Sequence, residues 1–178
     1  MSIPKIIHYC WFGDGPISPE SRKCMESWKK YCPDYKIMAW NEQNFDISAN
    51  RYAQQAYAAK KYAFVSDYAR LAVLYEYGGI YLDTDVELVR PLDERLEHKG
   101  FIGMEHSMPT PYGRTLLVNT GSGVGAEPGC EMIGKMLASY RNAAFVQETG
   151  EPDLRTCTQR DIDIANRMSR IALSLIHI

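Results

Sequence analysis

From Tyr52 to Tyr77 the chain contains neither glycine nor proline, and it then meets Gly78-Gly79 and the apolar run Ile80-Tyr81-Leu82. An unbroken stretch of helix-compatible residues closed by a glycine pair predicts a helix over 52–77 with a left-handed C-cap. The sequence "IYLDTDVELV" that follows at once predicts a strand over 80–89. A helix that hands the chain directly to a buried strand has to lie against a sheet, so this junction restricts the fold to packed α and β layers. The N-terminal part points the same way. "KIIHYCW" reads as a strand ending at Trp11, Ser18-Pro19 opens an amphipathic helix as N-cap and first helical residue, and "YKIMAW" reads as a second strand ending at Trp40. Strand, helix, strand predicts a parallel sheet with crossover helices. Further along, "FIGMEH" reads as a strand, "PTPYGRTLLVNTGSGVGAEPG" as a loop-rich stretch around a short strand, and 130–140 and 158–173 as helices.

With 178 residues the chain has the length of one domain, assigned here to 1–172. Its net charge of -2 and pI near 6.1 provide no basic field for nucleic acid, which is set aside as a partner. The five cysteines are odd in number and form no Cys-x-x-Cys pair, which predicts reduced thiols. No apolar stretch reaches bilayer length, and the N-terminus lacks the pattern of a secretory leader. The expectation is a cytoplasmic chain, compatible with peripheral association at the inner membrane face. The last six residues, "LSLIHI" (173–178), match the translation of a common transposase sequencing adapter. They are expected to be an artefact, with the authentic protein incomplete here and continuing past about Ala172.

Asp83 and Asp85 stand one residue apart at the end of the apolar "GGIYL". On a strand they share a face, and two carboxylates that close in a partly buried site call for a cation. Hard oxygen ligands favour Mn²⁺ or Mg²⁺, with substrate phosphate completing the shell. Asp161 and Asp163 have the same spacing, but they read as solvated acids near a helix start. On the preceding helix Asp67, Arg70, Leu71 and Leu74 fall on one face, so an acid and a guanidinium share the core-facing stripe. They form a structural ion pair or grip a substrate hydroxyl and phosphate. Trp11 ends the first strand, where a parallel sheet opens its ligand crevice, and is either core or a stacking surface. His8 reads as a satisfied core histidine, and the tyrosines between 52 and 75 as helix packing and pocket edges.

Together, "IPKIIHYCWFG" and "FVSDYARLAVLYEYGGIYLDTDVELVRPLD" resemble the sugar-binding DXD-motif glycosyltransferases of family 32. That family includes capsular polysaccharide enzymes and mannosyltransferases, and it is related to the clostridial toxin glucosyltransferases. The resemblance implies a GT-A fold with a Rossmann-like mixed sheet flanked by helices. It also implies a retaining hexosyl transfer from a UDP- or GDP-sugar donor to a saccharide or lipid-linked saccharide acceptor in cell-surface polysaccharide synthesis. Position by position, Trp11 corresponds to the base-stacking aromatic, and Asp67 and Arg70 to the pair that holds the donor sugar. Asp83 would contact ribose and donor sugar, Asp85 would coordinate the metal, and Asn119 would line the donor or acceptor pocket. The C-terminal metal and diphosphate contacts of the family have no counterpart after Thr158, and His177 is not credited as a ligand. Two other readings stand beside this one. A truncated, non-catalytic nucleotide-sugar-binding domain is one. A haloacid dehalogenase-type phosphatase is the other, disfavoured because Glu87 stands where that motif carries Thr or Val.

Overall fold

The computed structural model describes residues 2–110, 113–157, 159–160 and 174–176. Strand β1 (Ile6–Cys10) leads to helix α1 (Pro19–Tyr31) and strand β2 (Lys36–Trp40). Helices α2 (Arg51–Ala58) and α3 (Tyr62–Tyr77) precede the three-residue strand β3 (Gly79–Tyr81). Strands β4 (Gly100–Thr110), β5 (Gly113–Val118) and β6 (Val124–Ala126), helix α4 (Glu131–Ser139) and strand β7 (Ser174–Ile176) follow. Among the described residues the strands form one mixed sheet in the order β2-β1-β3-β6-β4-β5, with β7 beside β4. β1 pairs in parallel with β2 and β3, and β6 joins β3 to β4 by antiparallel pairing on both sides.

Alternation along the central strands divides the core between the two faces of the sheet. Ile7, Ile80, Leu82 and Phe101 pack with Trp28 of α1 and with Cys32 just after it. Cys10, Tyr81, Ile102, Val124 and Ala126 pack with α2, α3 and α4. Ser18 caps α1 as its sequence predicts, its side chain accepting from Ser21 N–H, and Pro19 occupies the first turn.

The helix expected over 52–77 is two helices. Lys60 takes a left-handed conformation at φ 57°, Lys61 N–H donates to Ala56 O at 2.9 Å, and Lys60 N–H donates to Tyr57 O at 2.8 Å. This is a Schellman stop built without glycine, so no residue type announces it. The stop at 78–79 is as predicted: Gly78 (φ 65°) donates its N–H to Leu74 O at 2.9 Å, and Gly79 has φ 104°. Space as well as backbone angle demands glycine here, because a Cβ on Gly79 would lie 2.8 Å from Ile6 O.

Two more expectations are corrected. The strand expected over 80–89 ends at Tyr81, since Val86 N–H donates to Asp83 O at 3.0 Å and folds 83–86 into a turn. The loop-rich stretch after residue 109, expected to hold one short strand, supplies two, β5 and β6, and the hairpin of β4 with β5 carries an irregularity in register between Met104 and His106. The helix expected over 158–173 lies outside the described residues apart from Gln159 and Arg160, which are helical, and so do Asp161, Asp163 and His177. Ser174 to Ile176 pair in parallel with Phe101 to Gly103. The five cysteines are free thiols. Among the described residues no helix is long and apolar enough to cross a membrane.

His8 holds β1, β2 and the glycine stop together. Trp40 Nε1–H donates to its Nδ1 at 3.0 Å, which leaves the proton on Nε2 to donate to Gly78 O at 2.8 Å. Burial, the largest cause, lowers its pKa from 6.5 to about 4. The unfolded chain therefore binds a proton below pH 6.5 that the native chain refuses. The stabilisation is complete above pH 6.5 and is lost as pH falls toward 4. Thermal unfolding scanned over this interval is expected to show a loss of about 3 kcal/mol. His8→Gln should flatten that slope, and an equal slope in the variant would assign the effect to other groups.

Candidate active site

Where β1 and β3 end, a cleft of about 490 Å³ opens between the 11–15 loop, the N-terminal half of α3 and the 83–86 turn. Trp11, Tyr62, Arg70, Asp83 and Asp85 line it.

Arg70 is the centre of the site. It projects from the third turn of α3 beneath the sheet, with only 3% of the residue exposed. Its Nη2 lies 2.9 Å from Asp67 Oδ1 and 3.5 Å from Asp83 Oδ1. Its Nε–H donates to Ser66 O at 3.1 Å, its Nη1–H donates to Thr120 Oγ1 at 3.3 Å, and the guanidinium stacks 4.8 Å from the centre of the Tyr81 ring. Burial works against the positive charge, but the surrounding Tyr81, Asp83 and Asp67 outweigh it and keep Arg70 protonated. Asp67 is pushed above the usual carboxylate range, mainly by burial, with Arg70 opposing.

The structural ion pair is one of the two readings of Asp67 and Arg70. The ion pair forms, and Arg70 also faces the cleft while Asp67 braces it from behind. Cys157 adds a thiol, its Sγ 3.9 Å from Arg70 Nη1. Cys10, on the cleft wall, is pushed up to about 12 by burial and stays a neutral thiol.

Asp83 continues the alternation of β3, which puts it on the same face as Tyr81, and Tyr81 Oη–H donates to its Oδ1 at 2.8 Å. Asp85 does not share that face through strand geometry, as its sequence position suggested. It occupies the turn, exposed at the lip of the cleft. Helix α1 holds this turn from the other side of the sheet. Trp28 Nε1–H donates to Val86 O at 2.8 Å, Ser27 Oγ accepts from Leu88 N–H at 2.8 Å, and Cys24 Sγ–H donates to Asp85 O at 3.4 Å. The spacing of Cys24, Ser27 and Trp28 on one helix face was legible, but nothing in it names the loop they grip.

Trp11 takes the wall position expected of it, with its Nε1–H donating to Gly15 O at 2.7 Å. Glu42, which no motif marks, accepts from Gly13 N–H at 2.5 Å and fixes the same loop. Asn119 stands apart from the cleft lining. Its Oδ1 accepts from Gly121 N–H at 2.8 Å, and Gly121 O in turn accepts from Asp83 N–H at 2.9 Å. It therefore shapes the turn against which Asp83 rests.

The donor chemistry fits a hard divalent cation that takes much of its shell from substrate oxygens. Asp85 presents an exposed carboxylate at the lip and Asp83 presents a second behind it. Among the described residues no cluster of three or more His, Cys, Asp or Glu side chains could hold a metal by protein donors alone.

Helices flanking a mixed sheet, with a cleft at the strand ends, make this a GT-A-like α/β fold. Residues 18–102 match the family described as "glycosyltransferase sugar-binding region containing DXD motif". Among relatives, inositol phosphoceramide mannosyltransferase 3 of Schizosaccharomyces pombe is 31% identical over 112 residues, covering 57% of this chain and 29% of its own. Inositol phosphoceramide mannosyltransferase 1 of the same yeast is 29% identical over 111 residues, covering 56% of this chain and 33% of its own. The chain thus spans about a third of the length of these relatives. Among solved structures, the PaToxG glycosyltransferase superposes with a TM-score of 0.63 at 20% identity, over 93% of this chain and 70% of that one. A transferase solved as a double cysteine-to-serine mutant gives 0.51 at 11% identity, over 97% and 88%. At these identities the structural likeness establishes the fold.

Gly121 closes the site. A Cβ there would lie 2.0 Å from Asp83 Oδ2 and 3.0 Å from Arg70 Nη1. The colliding atoms end side chains, so Gly121→Ala should leave the fold intact at a cost of about 1–3 kcal/mol. Asp83 must then swing off Tyr81 and Arg70, and donor-sugar hydrolysis should fall at least tenfold. Hydrolysis at the wild-type level would show that the position of Asp83 is not required.

Proposed function

We propose that this chain moves a hexosyl group from a UDP- or GDP-sugar to a saccharide or lipid-linked saccharide acceptor, with retention of configuration and with Mn²⁺ or Mg²⁺ held at Asp85. The observation that carries this reading is the buried Asp67–Arg70 pair joined to the half-buried Asp83, a cluster anchored from three segments and facing a cleft with Asp85 at its lip. A guanidinium locked by several acceptors before substrate arrives is suited to orienting a donor without reorganisation in the reaction. Arg70 takes donor oxygens, and Asp67 keeps it in place. Asp83 has one oxygen occupied by Tyr81 and offers the other to sugar or ribose hydroxyls. Trp11 offers the indole face for the base. When bound at Asp85, the divalent ion supplies Lewis-acid stabilisation of the charge that develops on the departing diphosphate. In this reading the glycosyl–phosphate bond breaks as the acceptor hydroxyl bonds to the same face of the sugar, and the hydroxyl proton passes to the departing diphosphate.

The yeast relatives are named as mannosyltransferases of a phosphorylated lipid, which supports a hexosyl donor and an acceptor with a lipid part. We place the activity in cell-surface polysaccharide synthesis at the cytoplasmic face of the membrane.

The test is a panel of nucleotide sugars with Mn²⁺, read by thermal unfolding and by release of free sugar. A donor present at about a hundred times its Kd stabilises by about 2.7 kcal/mol, a rise of roughly 5–10 °C for a chain of this size. Asp85→Asn should keep the fold and lose Mn²⁺-dependent turnover by about 100-fold or more. Full turnover in that variant overturns the metal assignment, and absence of binding to every donor overturns the function. Binding without hydrolysis would mark a donor-binding domain in place of an enzyme.

A further inference from the structure

Behind the 83–86 turn, on the α1 side of the sheet, lies a second cavity of about 290 Å³, with Ile80, Leu82, Leu88 and Phe101 among its walls and Val89, Arg90 and Arg95 also lining it. Val89 is 77% exposed although its neighbour Leu88 is 5% exposed, so an apolar side chain stands in water at the edge of an apolar hollow. Arg90 and Arg95 have no carboxylate partner among the described residues, whereas nearby Lys5 is held by Asp34 and Asp93 at 2.6 and 2.8 Å. Glu87 is the acid in the lining, which leaves the rim with an excess of one positive charge.

This cavity and the cleft are back to back. Leu82 faces the cavity and Asp83 the cleft, and Asp85 lines the cleft while Glu87 lines the cavity. Two residues of chain span at most about 7 Å, so a molecule lying over the turn could reach from one to the other.

We propose that this cavity takes the apolar end of a phosphate-linked lipid saccharide, with its alkyl or polyprenyl chain in the hollow, its phosphate on Arg90 and Arg95 and its saccharide head over the turn at the mouth of the cleft. Apolar walls remove methylenes from water, and guanidinium groups match phosphate oxygens in geometry and charge. The inference supplies the acceptor side of the proposed transfer and rests on that reading.

The probe is dodecyl phosphate below its micellar concentration, titrated calorimetrically into the full chain, with inorganic phosphate and dodecyl maltoside as controls. Dodecyl phosphate should bind at least tenfold more tightly than either control. The double variant Arg90→Ala, Arg95→Ala and the single variant Val89→Asp should each weaken it at least tenfold, while Mn²⁺-dependent donor hydrolysis stays at the wild-type level. Absence of binding, or binding unchanged in both variants, overturns the proposal. Equal binding of inorganic phosphate would make the arginines a simple anion site. A dimer in light scattering that Val89→Asp splits would assign the face to a second copy. Intact hydrolysis without amphiphile binding defeats the cavity assignment alone. Amphiphile binding by a chain that hydrolyses no donor defeats its acceptor role.

Discussion

A guanidinium in a protein interior has to be surrounded by acceptors, because an uncompensated buried charge costs more than a domain of this size can spare. Arg70 meets that requirement with groups from three separate parts of the chain. Asp67 and the Ser66 carbonyl come from its own helix, Asp83 from the end of β3, and Thr120 from the loop before β6. Each of these segments is therefore tied to the others through one side chain. The electrostatic demand of Arg70 and the geometry of the cleft are the same structural fact.

The strand that delivers Asp83 is only three residues long, and it would not hold a loop in place by its own ladder. Support comes from both faces of the sheet. On one side Tyr81 and Arg70 hold the carboxylate. On the other, α1 holds the backbone at Asp85, Val86 and Leu88 through Cys24, Trp28 and Ser27. The consequence is a turn fixed beneath Asp85 while its carboxylate stays exposed at the lip. Satisfied backbone and an exposed side chain suit a group that completes its coordination with substrate.

Much of the architecture was legible because its signals are local. The Ser18-Pro19 start of α1, the glycine stop after α3 and the alternation along β1 are properties of neighbouring residues, and each appears where the pattern puts it. The misreadings occurred where a long-range contact overrode a local signal. Lys60 ends α2 in a conformation that its residue type does not advertise, because α2 must turn to meet α3. The stretch after Pro109 reads as loop around one short strand from its Gly and Pro content, yet it supplies two strands, β5 as the hairpin partner of β4 and β6 between β3 and β4. Asn119 was picked out by resemblance, and its place is under the site, shaping the turn on which Asp83 rests.

The sequence by itself determined that this chain layers helices on a sheet, that an acid and a guanidinium share one face of α3, and that two aspartates follow a buried strand. Periodicity and capping are set by near neighbours and need no knowledge of the rest of the fold. Only the tertiary structure decided that Arg70 meets Asp83 across the sheet end, that Asp85 leaves the strand face for a turn, and that Gly121 is the one residue small enough to let Asp83 lie there. Those relations join segments up to fifty residues apart, as between Arg70 and Thr120, and they exist only once the register of the sheet has been set.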